Sequence, residues 1–476
     1  MMWETVIGLE VHVQLKTKTK LFSGASTAYG AEANSQTSFI DAALPGVLPV
    51  LNENAVVMAI RLGIALQAQI NEDSFFERKN YFYPDLPKGY QISQFQRPIV
   101  SNGHLNIDIK GQTKKVNIVR AHLEEDAGKS IHEAHSSSSM VDLNRAGTPL
   151  LEVVTAPCLY SAEEAITYLK TLHQLVRFLD ICDGNMQEGS FRCDVNLSLR
   201  PKGTQTLGTR TELKNLNSFR FIEKAIEYEQ IRHQELLESG HTISQETRLY
   251  SPTTNSTIPM RSKENENDYR YFPDPDLLPI KISPELINKA KSLILLPWSL
   301  KKELLQNEKI NEEEAEFLLS SPSLYYFFNE VKKKTNATTK LILNWLRGTY
   351  SAVLNDMNLS FENPPIGAAD FAYFLSHIEA NQLTSKNAKE IFLQSVYDKI
   401  DIKQLITAAQ KETSSNQDNI EEIIKNIIQQ NPMQVAEFQA GKDKLLAFFV
   451  GQVMKATKGS ANPNTVNELL LKHLKK

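Results

Sequence analysis

Glu10 and His12 lie two residues apart in Ile7-Gly8-Leu9-Glu10-Val11-His12-Val13-Gln14-Leu15, which alternates cleanly between apolar and polar side chains. On an extended strand, Ile7, Leu9, Val11, Val13 and Leu15 take one face and Glu10, His12 and Gln14 the other. The acid and the imidazole then project side by side, roughly 7 Å apart at Cα. A solvated outer face gives the same alternation. Glu152 is a sharper clue, because it interrupts the apolar run Pro149-Leu150-Leu151-Glu152-Val153-Val154. A carboxylate there loses its hydration unless a metal or a donor replaces it, and a buried ion pair is the plain alternative. The segment from Arg120 to Ser130 holds three consecutive acids, Glu124, Glu125 and Asp126. They repel one another unless solvated or held by cations. Its Gly128-Lys129-Ser130 ending imitates a phosphate-binding loop, but Leu123 stands where the first glycine belongs, and the acids would oppose a phosphate.

A second alternating stretch, Met186 to Arg200, places Arg192, Asp194, Asn196, Ser198 and Arg200 opposite Cys193, Val195, Leu197 and Leu199, with Glu188 just ahead. A polar face mixing Arg, Asp and Asn lines a substrate or nucleotide cleft or faces water. Thr209 to Ser218 adds Glu212 and Lys214 before a long helix. Together Glu10, Glu124, Glu125, Glu152, Glu188 and Glu212, with His12, suggest a carboxylate-lined floor. Hard oxygen ligands with few nitrogens and no thiolate favour Mg²⁺ over Zn²⁺, and Mg²⁺ between carboxylates and phosphates is the usual arrangement for phosphoryl transfer. None of the cysteines, Cys158, Cys182 and Cys193, has a nucleophile-like setting, and no Gly-Gly-Ser-Ser amidase stretch occurs. A reaction needing ammonia from glutamine would need another chain to release it.

The elements that must position these residues are legible in outline. The 476 residues, 41% hydrophobic and 23% charged, suit a soluble globular protein of two or three domains. A net charge of −4 argues against a protein that coats nucleic acid everywhere, though not against a local basic patch. Three cysteines make no disulfide framework, the N-terminus lacks a signal-like apolar region, and no apolar run nears the roughly 20 residues needed to span a bilayer. These features predict a cytoplasmic protein.

Up to about Pro279 short period-2 segments dominate; beyond about Leu296 the pattern is almost wholly helical. Tyr271 to Asp276, followed by Pro279, reads as irregular because three prolines fix φ and remove donors. The spacing of Phe219, Ile222, Ile226 and Leu236 predicts a helix from near Ser218 to Ser239-Gly240. Ser360 to Pro365 reads as a break and Thr413 to Asn419 as a loop between helices. From Gly441 onward seven lysines face only Asp443 and Glu468, a pattern that a solvated helix face usually explains.

Read in order, these segments resemble the B subunits of the heterotrimeric aspartyl/glutamyl-tRNA amidotransferases, and the resemblance covers nearly the whole chain. It is carried by Gly8 to His12, Leu44 to Val50, Lys79 to Gln91, Leu123 to Ser130, Asn144 to Glu152, Gln187 to Ser190, Thr211 to Ser218 and Asp268 to Asp276. At the C-terminus it includes Gly451 to Lys455 and Lys458 to Pro463. The resemblance implies an α+β protein: a glutamine-synthetase-like cradle domain over 1–292, an all-helical domain over 293–400, and a YqeY-like, tRNA-contacting tail over 401–476.

It also implies a reaction. ATP phosphorylates the side-chain carboxylate of a misacylated Glu-tRNA(Gln) or Asp-tRNA(Asn), and ammonia from a glutaminase partner then displaces phosphate. The implied partners are the A and C subunits of the heterotrimer, the first an amidase that releases the ammonia and the second a small protein. By carry-over, His12, Glu125 and Glu152 are the metal ligands, with Glu10, Glu124, Glu188 and Glu212 around an adjacent metal–nucleotide site. Lys79 and Tyr81 are placed near the exit of an ammonia channel, and Arg192, Asp194, Asn196 and Lys214 in the cleft. Lys455 and Lys458 are assigned to tRNA, through contacts that salt should weaken.

One departure stands out. Members with a zinc knuckle carry cysteines where this chain has Ser23, Ala25, Ser38 and Asp41, so no structural zinc is expected and packing should hold the loop. Two other readings compete: a catalytically silent tRNA-binding scaffold, and a stand-alone metal-dependent phosphohydrolase.

Overall fold

In the computed structural model, residues 2–132, 138–260, 268–457, 461 and 463–474 are described, with backbone alone for 132, 411–419 and 463–465. In chain order, strands β1 to β8 are Trp3–Gln14, Gln69–Ile70, Asp73–Ser74, Glu77–Asn80, Tyr90–Ser93, Val100–Ile109, Gln112–Glu125 and Lys129–His132. Strands β9 to β16 are Ser139–Asp142, Pro149–Thr155, Phe191–Pro201, Thr211–Lys214, Glu246–Ser251, Ser256–Pro259, Phe272–Pro273 and Ile280–Lys281. Nine of them form one sheet in the order β14-β13-β12-β11-β1-β10-β7-β6-β2. Every neighbouring pair is antiparallel except β12 with β13.

The alternation that predicts β1 also sets what each face meets. Ile7, Leu9, Val11 and Val13 are buried in the main core with Val153, Val195 and Leu197 of the flanking strands. Helices α1 (Glu53–Ala65), α2 (Ala162–Phe178) and α3 (Phe219–Glu238) bury their apolar stripes in the same core. Each such side chain contributes about 1.5–3 kcal/mol on leaving water. Ser161 and Ser218 cap α2 and α3 by accepting from Glu164 N and Phe221 N, both at 3.1 Å. The helix expected from Ser218 to Gly240 is thus α3, and Gly240 supplies the φ of +78° that ends it. The apolar face is covered, and the polar alternates are left to the opposite side.

A buried polar network ties α3 to the strands at one edge of the sheet. Glu229 pairs with Arg232 at 2.8 Å and Arg248 at 3.0 Å, lies 3.4 Å from His233, and accepts from Thr257. His233 Nε2 is 2.8 Å from Thr211 Oγ1 on β12, the strand that carries Glu212.

The loop after β1 departs from expectation. It is held not by packing alone but by Asp41, a buried carboxylate that gathers Lys20, Ser23 and Ser38. Lys20 Nζ donates to Asp41 at 3.0 Å, with side-chain exposures of 0% and 3% for the two residues. Ser23 Oγ donates to Asp41 at 3.2 Å and the Ser38 amide at 2.8 Å, while Lys20 N donates to Ala25 O at 3.0 Å. Gly147, at φ +80°, permits the close approach, since a Cβ there would stand 2.7 Å from Asp41 Oδ1.

The Tyr271–Asp276 segment is not wholly irregular either. Phe272 and Pro273 pair with Arg78 and Glu77 at the edge of the small sheet β15-β4-β5, where a proline's missing donor is tolerated.

The chain divides into two units, Met1–Lys302 and Glu303–Lys476. Among the described residues all strands fall in the first, as an α+β reading requires. In the second, Phe327, Tyr350, Phe371, Phe374 and Phe392 pack ring against ring, and Leu346–Tyr350 forms a π-helical turn. The loop expected over Thr413 to Asn419 is instead continuous helix within Ile402–Gln430. Buried Ile402 and Ile406 lie at one end of it, and Ile420 and Ile424 at the other. Anchored at both ends, a helix crosses a polar stretch that propensity alone would break. Its C-terminal half joins a small core with Phe449, Val453, Val466 and Leu470.

Burial pushes the Glu229 carboxyl up, but bonds from His233, Arg232 and Thr257 outweigh it and hold the group at about 2, below its ordinary 4.5. A depressed carboxylate stabilises the fold above its unfolded value and loses that contribution as pH falls through the folded one. Glu229→Gln should therefore destabilise the first unit by about 3 kcal/mol at pH 7. Urea unfolding of both chains should show the difference shrinking between pH 4.5 and about 2. A gap that ignores pH would refute the assignment.

Candidate active site

The registers of β1, β10, β7 and β11 bring the polar alternates together. His12 pairs across with Glu152, and Glu152 with His122. On the other side His12 faces Arg192 and Glu10 faces Asp194, while Asn196 lies opposite Glu212. Directly opposed residues in an antiparallel pair project to the same side. Glu10, His12, His122, Glu124, Glu152, Arg192, Asp194, Asn196 and Glu212 therefore share one face.

Two groups on that face have donor atoms lying within 4.8 Å of one another: His12, Glu124 and Glu152, and Glu10, Asp194 and Glu212. In the first, Glu152 Oε2 sits between two imidazoles, 3.5 Å from His12 Nε2 and 3.4 Å from His122 Nε2. Glu124 lies 3.5 Å from His122 and accepts from Ser93 Oγ at 3.1 Å. In the second, Asn196 Nδ2 donates to Glu10 at 3.0 Å, Lys214 Nζ bonds Asp194 at 2.5 Å and Glu212 at 3.0 Å, and Thr247 Oγ1 donates to Glu212 at 2.6 Å.

Crowding shows in the protonation equilibria. Burial first, then Glu152, Glu212 and Asp194, raise the Glu10 carboxyl above its ordinary value. Burial opposes the charge on His122, but Glu152 and Glu124 overcome it and lift the imidazole to about 9. Glu152 goes the other way: burial favours its neutral form, yet His122 and His12 hold it well below the usual carboxylate range. Burial works against a charged Lys79, and Glu124, Tyr271 and Glu152 more than compensate. Its ammonium lies 4.8 Å above the Tyr269 ring and 5.7 Å from the Tyr81 ring.

The acid set of the second group, and the oxygen-rich set of the first, fit a hard divalent cation. Acids this close favour a cation or a proton between them, and burial with the neighbouring acids raises the Glu10 carboxyl accordingly.

Several expectations are redistributed. Glu125 is turned away from the His12–Glu152 group, and Glu124 takes that place. Adjacent strand residues point to opposite faces, and Glu125 instead pairs with Lys88 and accepts from Ile92 N at 2.9 Å. Glu188 is exposed in the turn before β11, its amide donating to Asn185, and joins neither group. Tyr81 Oη donates to Gln91 at 3.1 Å. Arg192 pairs with Asp126 at 2.9 Å. Lys455 is exposed on the helix Leu445–Ala456, whereas Lys458 lies outside the described residues.

Sequence reasoning assigned no site role to His122, Asp126, Tyr269 or Tyr271. The signal for His122 was present: it sits two residues before Glu124, on the same side of the strand.

The face belongs to a known class of catalytic domain. Residues 5–288 match the family model described as the GatB/GatE catalytic domain, and residues 326–474 match the GatB domain. The chain is 63% identical to the B subunit of an aspartyl/glutamyl-tRNA(Asn/Gln) amidotransferase from Legionella pneumophila subsp. pneumophila, over 100% of both chains. It is 52% identical to the protein of the same name from Coxiella burnetii strain CbuG_Q212, again over 100% of both. The chain therefore belongs to the family of aspartyl/glutamyl-tRNA(Asn/Gln) amidotransferase B subunits, and is part of a ligase that forms carbon–nitrogen bonds.

The geometry separates two neighbouring acids. Changes in a metal site's outer shell alone cost about 10–100-fold in affinity, so removing a ligand should cost at least about 10-fold. Titration with Mn²⁺, followed by electron paramagnetic resonance, should show that loss in Glu124→Ala and a smaller one in Glu125→Ala. The reverse ranking would favour Glu125, the ligand that the family resemblance implies.

Proposed function

We propose that this chain performs the carboxylate-activating and amidating steps on misacylated Glu-tRNA(Gln) or Asp-tRNA(Asn), in a cytoplasmic heterotrimer with the amidase and the small protein that form its A and C subunits. The observation that carries the reading is the polar face itself, with two carboxylate groups side by side on a domain matched to a catalytic family. Among the described residues no helix is long and apolar enough to cross a membrane.

A free carboxylate is a poor acyl donor. One of its oxygens attacks the γ-phosphorus of ATP, ADP leaves, and an acyl phosphate results. Ammonia then attacks the acyl carbon, phosphate departs with the C–O bond, and one proton is shed to give the amide. Both steps bring anions together, so positioning and charge compensation dominate the barrier.

Mg²⁺, held by His12, Glu124 and Glu152 or by Glu10, Asp194 and Glu212, would supply charge neutralisation to the nucleotide. Lys214 balances Asp194 and Glu212, and Asn196 fixes the Glu10 carboxylate. Lys79, kept charged by its acid neighbours, suits holding an anion and cannot take a proton from ammonium. Its wall of Tyr81, Tyr269 and Tyr271 limits water at that side, which suits an exit for ammonia.

We place the cradle over 1–292, the helical domain over 293–400 and the tRNA-contacting tail over 401–476. Lys455 is one of the exposed tail cations and suits a tRNA phosphate.

Two measurements test the reading. In the assembled heterotrimer with ATP, charged tRNA and ammonium chloride, Glu124→Ala should lower phosphate release and amide formation together by about 100-fold or more, the scale of losing one electrostatic stabiliser. Amide formation that survives undiminished would leave the chain a tRNA-holding scaffold. Lys455→Ala should weaken tRNA binding and reduce the slope of log affinity against log salt by about one, as loss of one phosphate contact does. An unchanged slope would remove Lys455 from the interface.

A further inference from the structure

We propose that Asp126 is a positioning residue that holds the Arg192 guanidinium over the polar face beside His12, leaving the rest of that fork to receive phosphate oxygens of the nucleotide. The inference rests on the phosphoryl-transfer reading above.

Asp126 follows β7 directly and is buried, with 5% exposure. Its backbone is fixed at both ends: the amide donates to Thr148 O, and the carbonyl accepts from Gly147 N, both at 2.9 Å. Its Oδ1 accepts the Ala127 amide at 3.0 Å. Its Oδ2 accepts from Arg192 Nη2 at 2.9 Å and Gln14 Nε2 at 3.0 Å, and lies 3.7 Å from Arg145 Nε. Three hydrogen bonds and a second guanidinium nearby thus fix the carboxylate in place.

The two arginines that meet it are used differently. Arg145 spends Nε on Ala127 O at 2.9 Å and Nη2 on Gly128 O at 2.6 Å, so it braces the loop. Arg192 has a single ion pair among the described residues, to Asp126, and its Nε has no partner. A guanidinium carries five donors in a planar fork matched to phosphate oxygens. The Nε is buried, but Nη1 forms no hydrogen bond among the described residues, on a side chain still 35% exposed, in register with His12 and next to both carboxylate groups.

That face needs such a cation. Glu10, Glu124, Glu152, Asp194 and Glu212 repel a polyphosphate, Lys214 is engaged by Asp194 and Glu212, and Lys79 stands against tyrosine rings. Arg192 also feels Asp194 and Glu124. Without Asp126 the guanidinium would swing to those acids, closing its fork on them and blocking the group it should receive. Asp126 keeps the arginine aimed, with Nη1 left for the phosphate.

The test uses the assembled heterotrimer with charged tRNA and ammonium chloride, and compares wild type with Asp126→Asn, Arg192→Ala and the double variant. Each single change should raise the KM for ATP and lower kcat/KM by about 10- to 100-fold, the range of a misplaced binding group. The double variant should be no worse than Arg192→Ala, since Asp126 acts only through that arginine. Single effects that multiply in the double variant would overturn the proposal, as would Asp126→Asn that leaves the KM for ATP unchanged. If Asp126→Asn does not fold, Asp126→Glu keeps the charge on a longer arm. It should fold and still raise the KM for ATP, and a wild-type KM would overturn the proposal. A wild-type heterotrimer whose ATP turnover ignores charged tRNA would fail the functional reading itself, visibly, before any variant is compared.

Discussion

Several carboxylates on one half-buried sheet face repel each other, and each loses hydration on burial. The remaining features of the first unit answer that cost. Two imidazoles flank Glu152, Lys214 bridges Asp194 and Glu212, and Asn196 donates to Glu10. Burial and then the neighbouring acids still raise the Glu10 carboxyl, the strain expected where like charges crowd on a face shielded from water.

The strain can be borne because the platform is stiff. The same strands that offer polar residues on one side bury Ile7, Leu9, Val11, Val153 and Val195 on the other, under three helices. A shift of one residue in register would carry every polar residue into the core, so the apolar face locks the polar one. The Glu229 network does the same at the sheet edge, where β12 has few neighbours beyond β11 and β13 to fix Glu212.

Much of this was legible because period-2 alternation reports faces directly. Glu10 with His12, and Arg192 with Asp194 and Asn196, were placed on the correct side by counting alone. Counting could not say which of two consecutive acids turns inward: Glu124 and Glu125 differ only in parity relative to β10, and register is a long-range property. His122 carried a signal that was not used, two residues before Glu124 on the same side of β7, whereas Glu188 sits in a turn, where side chains follow no periodicity. The polar stretch 413–419 read as a loop because propensity is local, whereas the isoleucines that stabilise the helix around it lie on either side. The order of the nine strands, which makes the site, has no signature in the linear sequence.

The Asp41 junction bears on how this loop meets its chemical surroundings. Its parts are a carboxylate, an ammonium and hydroxyl groups, joined by hydrogen bonds that form as the chain folds. A thiolate knuckle would need zinc at synthesis and would be exposed to oxidants afterwards. The hydroxyl, ammonium and carboxylate groups that meet at Asp41 are not ones that oxidants attack as they attack thiolates.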